Sequence, residues 1–458
     1  MTAGSMTSGA MEQVPGWVNE HVGSARWFGG KGRGGEVSRV VGLRWLGERE
    51  GVRVRPEVAT WRYPDGSQEH YQLLVAYSDA EQPAGVLGSS AEGIAHDATK
   101  VPAALQVLLA SLLDGAQDEQ WQPVIPDGRR LAADLPLSVY GGEQSNTNVM
   151  VGDVAILKLF RKLEPGRNLD IQVHDALGRA SVGSAARLYG WVAGELPAAE
   201  GEEPVETDYA MVVEQLQDAA DGFVMAREAC ASGADFSQEA AALGEALAEV
   251  HAALHDTFDT TTVDGDAVAA TMARRLDEAI EAAPVLSDHR DGLVQVFGRL
   301  AGHRLPAQRI HGDFHLGQTL RTPDGWRIID FEGEPMKTLA ERRLPDSPWR
   351  DVAGMLRSFG YATSGSDDPT GPAARQWLAD VRAAFLGAYG EPRGGEADVL
   401  SAYEADKATY EVVYEVRNRP DWLPIPMSAI SSIAPSRAGN YPLTSGTNHA
   451  GPAADEEN

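Results

Sequence analysis

The sequence predicts an α+β chain in two unequal lobes, strand-rich first and mainly α-helical after, with a further small α/β unit at the N-terminus. Three observations lead there. At 458 residues the chain is too long for one ordinary core, so two or three packed subdomains are expected. Segments such as VSRVVGLRWLG and EVATWRYPDGSQEHYQLLVAYS alternate β-branched and aromatic residues with polar ones in the first part of the chain. From residue 238 onward Ala, Glu, Leu and Arg take over, in segments that each carry an apolar stripe at helical spacing.

In order, residues 1–13 are small and polar and are expected to be disordered. Residues 14–97 read as a cap domain: a short amphipathic helix in VPGWVNEHVGSARWFG, then antiparallel strands with a hairpin signal at Asp65-Gly66. An intermediate subdomain is expected over 98–216, beginning with a helix over 98–118 that stops near Gly115. It continues with two strands and a glycine-containing turn in 135–163, a hairpin at 151–159, a helix over 168–180, and strands in RLYGWVAG and YAMVVEQL. Residues 217–435 read as the helical lobe, interrupted by RIHGDFHLGQTLRTPDGWRIIDFEGEP, a loop and then a strand pair turned at Pro323, Asp324 and Gly325. Residues 436–458, rich in Gly, Ser, Asn and Pro, read as a disordered tail.

Composition excludes several classes. A formal charge of −28 opposes broad contact with nucleic acid or anionic lipid, since both require a positive field. No apolar run approaches the roughly 20 residues of a membrane span, and the start lacks a basic stretch followed by an apolar one, so a cytoplasmic protein is expected. The single cysteine, Cys230, excludes an internal disulfide and a cysteine-built metal site.

The chemistry is concentrated in three places. In HGDFHLGQ, Asp313 lies in a short loop where a carboxylate can take or orient the proton of an acceptor hydroxyl, and Gln318 offers a neutral oxygen to Mg²⁺ five residues on. Asp330 ends the strand WRIID, seventeen residues after Asp313, and is the natural anionic ligand of that ion, with Glu332 assisting. Upstream, YGGEQSNTNVMVGDVAILKLF holds a turn with Gly141 and Gly142, then Ser145, Asn146 and Thr147, then a strand ending at Lys158. Backbone and hydroxyl donors of such a turn can cover phosphates while the lysine reaches them from the strand. The carboxylate that would pair with Lys158 is to be sought in NLDIQVHDALG, which offers Asp170 and Asp175 with Gln172 between them. The backbone of Glu214, Gln215 and Leu216, closing YAMVVEQL, has the position of a hinge that would bond adenine. Glycine turn, strand, lysine, helix, strand and then HGD is the order of protein-kinase-like enzymes, and ATP with Mg²⁺ is the expected pair of cosubstrates.

With these residues laid out, the chain resembles the actinobacterial maltokinases of the aminoglycoside-phosphotransferase-like and eukaryotic-type-kinase superfamily. The likeness is carried by ARWFGGKGR (25–33), AILKLFRKLEPGRNLDI (155–171), HGDFHLGQTLR (311–321), IDFEGEP (329–335), RDVAGMLRSFGYA (350–362) and YEVVYEVRNRPDWLPIP (410–426). It implies a bilobal protein-kinase-like fold with an added N-terminal cap, and transfer of phosphate from ATP to the anomeric hydroxyl of maltose for α-glucan synthesis. Under it Asp313 would be the base, Gln318 and Asp330 the metal ligands and Lys158 the phosphate anchor. Sugar contacts would fall to His315, Tyr361 and the late helix, where Lys407, Tyr410 and Tyr414 share one face. Glucosamine is the rival acceptor, and an enzyme interconverting trehalose and maltose is a possible partner. The chain departs from the family in one respect: Gln172 stands where the related enzymes carry Glu. Arg350 and Asp351 are expected to organise the floor of the site.

Overall fold

The computed structural model of the chain describes residues 14–113, 118–126, 130–141, 145–198, 203–334 and 337–435. Both terminal stretches expected to be disordered, and Gly115, fall outside these residues.

Helix α1 (Gly16–Ser24) lies on a sheet made by β1 (Glu36–Gly42), β2 (Gly47–Arg49), β3 (Val52–Arg62), β4 (Gln68–Ser78), β5 (Val86–Ser90) and β6 (Gly93–Asp97). The strands run in the order β1-β3-β4-β6-β5, with β2 also on β3. The Asp65-Gly66 signal is the β3–β4 turn: Gly66 takes φ +86°, and the Tyr63 N–H donates to the Ser67 carbonyl at 2.9 Å. One face of this sheet packs Trp61 and Tyr71 against α1 and Phe28. Its other face, with Val54, Val58 and Leu74, joins α2 (Pro102–Leu113) in a core shared with the next sheet. Burial on both faces is why β4 reads as a nearly continuous apolar run.

The second sheet holds β7 (Gln122–Val124), β8 (Leu137–Val139), β9 (Thr147–Val151), β10 (Ala155–Leu159), β12 (Leu188–Leu196) and β13 (Val205–Glu214), ordered β7-β12-β13-β10-β9-β8. Between β10 and helix α3 (Leu169–Arg179) the chain makes β11 (Lys162–Leu163), which leaves this sheet and pairs with β4 of the cap. Arg161 sits at that crossing, buried. It accepts the Gln72 N–H at 2.7 Å on its carbonyl and donates its Nε to Thr147 Oγ1 at 2.7 Å. The cap is therefore joined by backbone pairing to the strand that carries Lys158.

The helical lobe follows with β14 (Ala220–Asp221), α4 (Gly222–Ser232), α5 (Ser237–Thr257), β15 (Thr261–Asp264), α6 (Gly265–Ala282), α7 (Arg290–Gly298) and β16 (Arg304–Ala307). It continues with β17 (Thr319–Thr322), β18 (Gly325–Ile328), α8 (Leu339–Arg342), α9 (Trp349–Ala362), α10 (Pro372–Tyr389), α11 (Glu396–Asn418) and α12 (Pro424–Ile433). The turn read at Pro323 to Gly325 joins β17 to β18. Helix α9 carries an apolar stripe at helical spacing in Val352, Met355, Leu356 and Phe359, and its polar residues Asp351, Arg357 and Ser358 are buried as well. Its polar groups are matched: Arg357 donates to Glu411 at 2.9 Å, and the Ser358 hydroxyl accepts the Leu316 N–H at 3.1 Å. Among the described residues no helix is long and apolar enough to cross a membrane.

Gly354 lets α9 lie directly against the 311–318 loop, since a Cβ there would stand 2.4 Å from the Phe314 carbonyl oxygen. Gly354→Ala is expected to cost about 1–3 kcal/mol of stability by overpacking, and to lower turnover because the loop must move. Urea unfolding beside a turnover assay checks this, and wild-type values in both would show that the contact is not limiting.

Candidate active site

The loop 311–318 hangs from one buried carboxylate. Asp351 Oδ2 accepts the His311 N–H at 2.7 Å and Oδ1 the Gly312 N–H at 2.9 Å, while Oδ2 also meets His251 Nε2 at 3.0 Å. The other nitrogen of His251 is 2.9 Å from the Tyr389 hydroxyl. Burial alone would raise the Asp351 carboxyl, but the bond and charge of His251, then His311 and the Gly312 N–H, outweigh it and hold the group below the ordinary carboxylate range. Gly312 sits at φ +86°, a left-handed conformation that a side chain disfavours, and turns the chain so that Asp313 follows. His311 Nε2 is 3.0 Å from the Ile329 carbonyl, which ties the loop to the end of β18. The Asp313 side chain, 20% exposed, has Lys407 Nζ of α11 at 3.6 Å.

The second cluster surrounds Lys158. Its ammonium is 3.2 Å from Asp170 Oδ2, 4.0 Å from Asp330 Oδ1, and in contact with Glu332. Burial would lower this lysine, but the charges of Glu332, Asp170 and Asp330 outweigh it and raise it above its ordinary value. Asp170 also accepts the Phe331 N–H at 3.1 Å and lies 3.4 Å from His174, and against the cost of burial Lys158 holds it well below the usual range. The helix partner of the lysine is thus Asp170, in the first turn of α3, placed by the Asn168 cap that accepts the N–H groups of Asp170 and Ile171. Asp175 pairs with Arg179 instead, and Gln172 lies two residues beyond the carboxylate that serves.

Carboxylate oxygens of Asp170, Asp330 and Glu332 lie within 4.8 Å of one another. Partial desolvation, with Glu332 and Asp170 beside it, raises Asp330 in spite of Lys158. Asp330 takes φ +65°, a left-handed position uncommon for a side-chain-bearing residue, and Gln318 Nε2 reaches its Oδ2 at 3.2 Å. Oxygen donors gathered this closely suit a hard divalent ion such as Mg²⁺.

In the glycine turn, Gly141 and Ser145 are exposed, whereas Gly142 lies outside the described residues. Asn146 accepts the Arg161 N–H at 3.2 Å and its amide points to Glu332 at 3.5 Å, and Thr147 is engaged by Arg161. At the end of β13 the Glu214 N–H is used by the Arg187 carbonyl at 2.8 Å, and the Gln215 N–H by Val154 at 2.9 Å; Leu216 follows at the cleft edge.

Beyond Asp313 opens a cavity of about 470 Å³, walled by Lys407 and Tyr410 of α11, by Arg275 and Glu278 of α6, and by Lys337 and Arg350. Three of the carboxylates on its wall are engaged. Asp406 meets Arg275 at 3.0 Å, Glu334 meets Arg350, and Glu341 accepts the Thr338 N–H at 2.9 Å. Three residues expected to touch a sugar are not among those lining this cavity. Tyr361 is buried and donates its hydroxyl to Glu415 at 2.9 Å, its ring against Trp422. Tyr414 is exposed beneath the Arg419 guanidinium, 5.2 Å from its ring. His315 lies beside the loop, lowered by burial although the Asp313 charge opposes this. Conversely, Arg275, Glu278, Lys337 and Asp406 form much of the wall but carry no local motif; only the first turn of α3, with its cap and acid, was a readable signal for Asp170.

Comparison with known proteins agrees with this geometry. The model of the "Phosphotransferase enzyme family" matches residues 137–397, and that of the "Maltokinase N-terminal cap domain" matches residues 21–110. A glucosamine kinase of Streptacidiphilus jiangxiensis is 29% identical over 325 residues, covering 64% of this chain and 73% of that protein. A glucosamine kinase of Mycolicibacterium smegmatis is 30% identical over 328 residues, covering 64% and 78%. Among solved structures, a glucosamine kinase in complex with glucosamine, ADP and inorganic phosphate superposes with a TM-score of 0.64 at 23% identity, covering 91% of this chain and 99% of that one. The fold is thus protein-kinase-like, preceded by a cap domain.

Because Asp351 is held below its ordinary value, its contribution to stability is present above the unfolded-state value of roughly 3.9 and is lost as pH falls through the folded one. Asp351→Asn is expected to be less stable than wild type by about 2 kcal/mol at neutral pH, with the two converging in acid. Urea midpoints across pH test this, and a gap that stays constant would contradict the depressed carboxyl.

Proposed function

The chain belongs to the phosphotransferase enzyme family, and we propose that it is an ATP-dependent sugar kinase that transfers the γ-phosphate to the anomeric hydroxyl of maltose. The product would be maltose 1-phosphate, feeding α-glucan synthesis in the cytoplasm. One juxtaposition carries the reading. Asp313, with Lys407 3.6 Å away, faces a cavity on one side, and the Lys158 cluster, joined to the same loop through Asp330 and Gln318, lies on the other.

In this reading Asp313 accepts the proton of the acceptor hydroxyl as it attacks, and Lys407 fixes the orientation of that carboxylate. Lys158 anchors the phosphates, covered by the turn that includes Gly141, Ser145, Asn146 and Thr147. With the Glu214 and Gln215 N–H groups already used, the Leu216 N–H remains for adenine. Gln318, Asp330 and Glu332 would hold Mg²⁺. Bound there, the ion neutralises phosphate charge.

Maltose as acceptor is supported by the match of the cap domain and by the chemistry of the cavity. Asp406 and Glu334 on its wall are engaged by arginines, and Lys337, Lys407 and the Tyr410 ring offer donors and an apolar face to a neutral sugar. A second reading, glucosamine as acceptor, is favoured by the names of the curated relatives.

A panel of sugars assayed for ATP consumption separates the two, and NMR of the product identifies the phosphorylated position. Turnover with glucosamine and none with maltose would overturn the first reading. Asp313→Ala is expected to lower kcat by roughly 10²–10⁴ while maltose affinity measured by calorimetry changes little. Near-normal turnover in that variant would remove Asp313 from the chemistry.

A further inference from the structure

Two adjacent arginines at the end of α8 reach across to both sides of the Lys158 cluster. Arg342, whose side chain is 14% exposed, donates Nη1 to the Glu332 carbonyl at 2.9 Å and places Nη2 3.3 Å from the Glu164 carboxylate. Arg343 donates Nη2 to the Arg167 carbonyl at 2.7 Å and the Pro165 carbonyl at 3.2 Å. Those carbonyls belong to the short loop between β11 and α3. Gly166, at φ +86°, shapes this loop, which delivers Asn168 as the cap of α3, with its own N–H fixed by Asp208 at 2.7 Å. Two residues further along is Asp170, which meets the lysine.

The two carboxylates nearest the Lys158 ammonium are thus each held from α8: Glu332 through its own backbone by Arg342, Asp170 through the preceding loop by Arg343. These are charge-assisted bonds, most of them to main-chain oxygens, in a partly closed setting, and so differ from freely solvated surface pairs. The same short helix faces the other way as well. Its Thr338–Glu341 capping box closes the first turn, and Lys337 and Glu341 line the acceptor cavity. One turn therefore touches the acceptor wall and the nucleotide-side cluster together, a contiguous chain of contacts along which the two sites can be coupled.

We propose that Arg342 and Arg343 are positioning residues that set the geometry of Lys158 from the acceptor side, so that filling the acceptor cavity tightens nucleotide binding. The proposal rests on the reading that Lys158 holds the phosphates and that the cavity beside Asp313 takes the acceptor. Neither arginine touches a reacting atom; each acts through Glu332 or the α3 loop.

The test is calorimetry of a non-hydrolysable ATP analogue with Mg²⁺, alone and with a saturating level of the sugar turned over in the panel, on wild type, Arg343→Ala and Arg343→Lys. Wild type is expected to bind the analogue about fivefold or more tightly with sugar present, and the sugar more tightly by the same factor with analogue present. In Arg343→Ala the analogue alone should bind roughly tenfold more weakly and the coupling factor should fall to near one, with the KM for ATP raised far more than that for the sugar. Arg343→Lys should recover part of both. Arg342→Gln supplies a second route should Arg343→Ala fold poorly, which circular dichroism reads directly, and it should show the same loss of coupling. An unchanged analogue affinity in the variants, or a coupling factor near one in wild type, would overturn the proposal. That result would leave the kinase reading standing, because wild-type turnover of a sugar is measured separately; and if no sugar were turned over, analogue affinity alone would still decide the positioning role.

Discussion

A partly buried ammonium fixes the architecture of the site. Lys158 can be removed from water only if carboxylates stand close to it, and here they arrive from opposite lobes: Asp170 from α3 and Glu332, with Asp330, from the segment after β18. Each carboxylate is in turn fixed by something further out. The Asn168 cap orients Asp170, the Phe331 N–H binds its second oxygen, and Arg342 holds the backbone of Glu332. The two lobes are thereby indexed to each other at this cluster, with the Arg342 and Arg343 contacts to the β11–α3 loop beside it.

A second buried charge fixes the loop bearing Asp313. Asp351 spends both oxygens on successive backbone N–H groups and on His251, so a helix that presents no polar face to solvent carries the one group that shapes the loop. This arrangement makes α9 intolerant of change at two places only a few residues apart, the carboxylate and Gly354. The cap adds a third point of attachment, since β11 pairs with the cap sheet directly after the strand of Lys158, and Arg161 binds Gln72 as well as the turn residues Asn146 and Thr147. A core shared between the cap sheet, α2 and the second sheet ties the cap to its neighbour by apolar burial too.

The wall of the cavity beside Asp313 contains charges matched with one another, Asp406 with Arg275 and Glu334 with Arg350. Such a wall presents oriented donors and acceptors with little net field, which suits recognition of hydroxyl groups better than of a single charge. Around the same cleft Asp170 and Glu332 are paired with Lys158, which limits the negative field of so acidic a chain there.

The sequence by itself determined the elements whose signals are local. Period-two alternation with Asp65-Gly66 marked the cap hairpin, helical stripes marked α5, α6, α7, α10 and α11, and the spacing of Asp313, Gln318 and Asp330 marked one loop and one strand end. These follow from neighbours a few residues apart, where backbone periodicity alone decides which side chains share a face. What only the tertiary structure decided depends on groups distant in sequence. The choice of Asp170 over Gln172 turns on how α3 enters after its cap, the burial of Tyr361 against Glu415 turns on α9 meeting α11, and the cavity wall of Arg275, Lys337 and Asp406 comes from three separate segments. Desolvation and ion pairing act through space and leave no periodic trace in the chain, so those residues became readable only once the lobes were closed around Lys158.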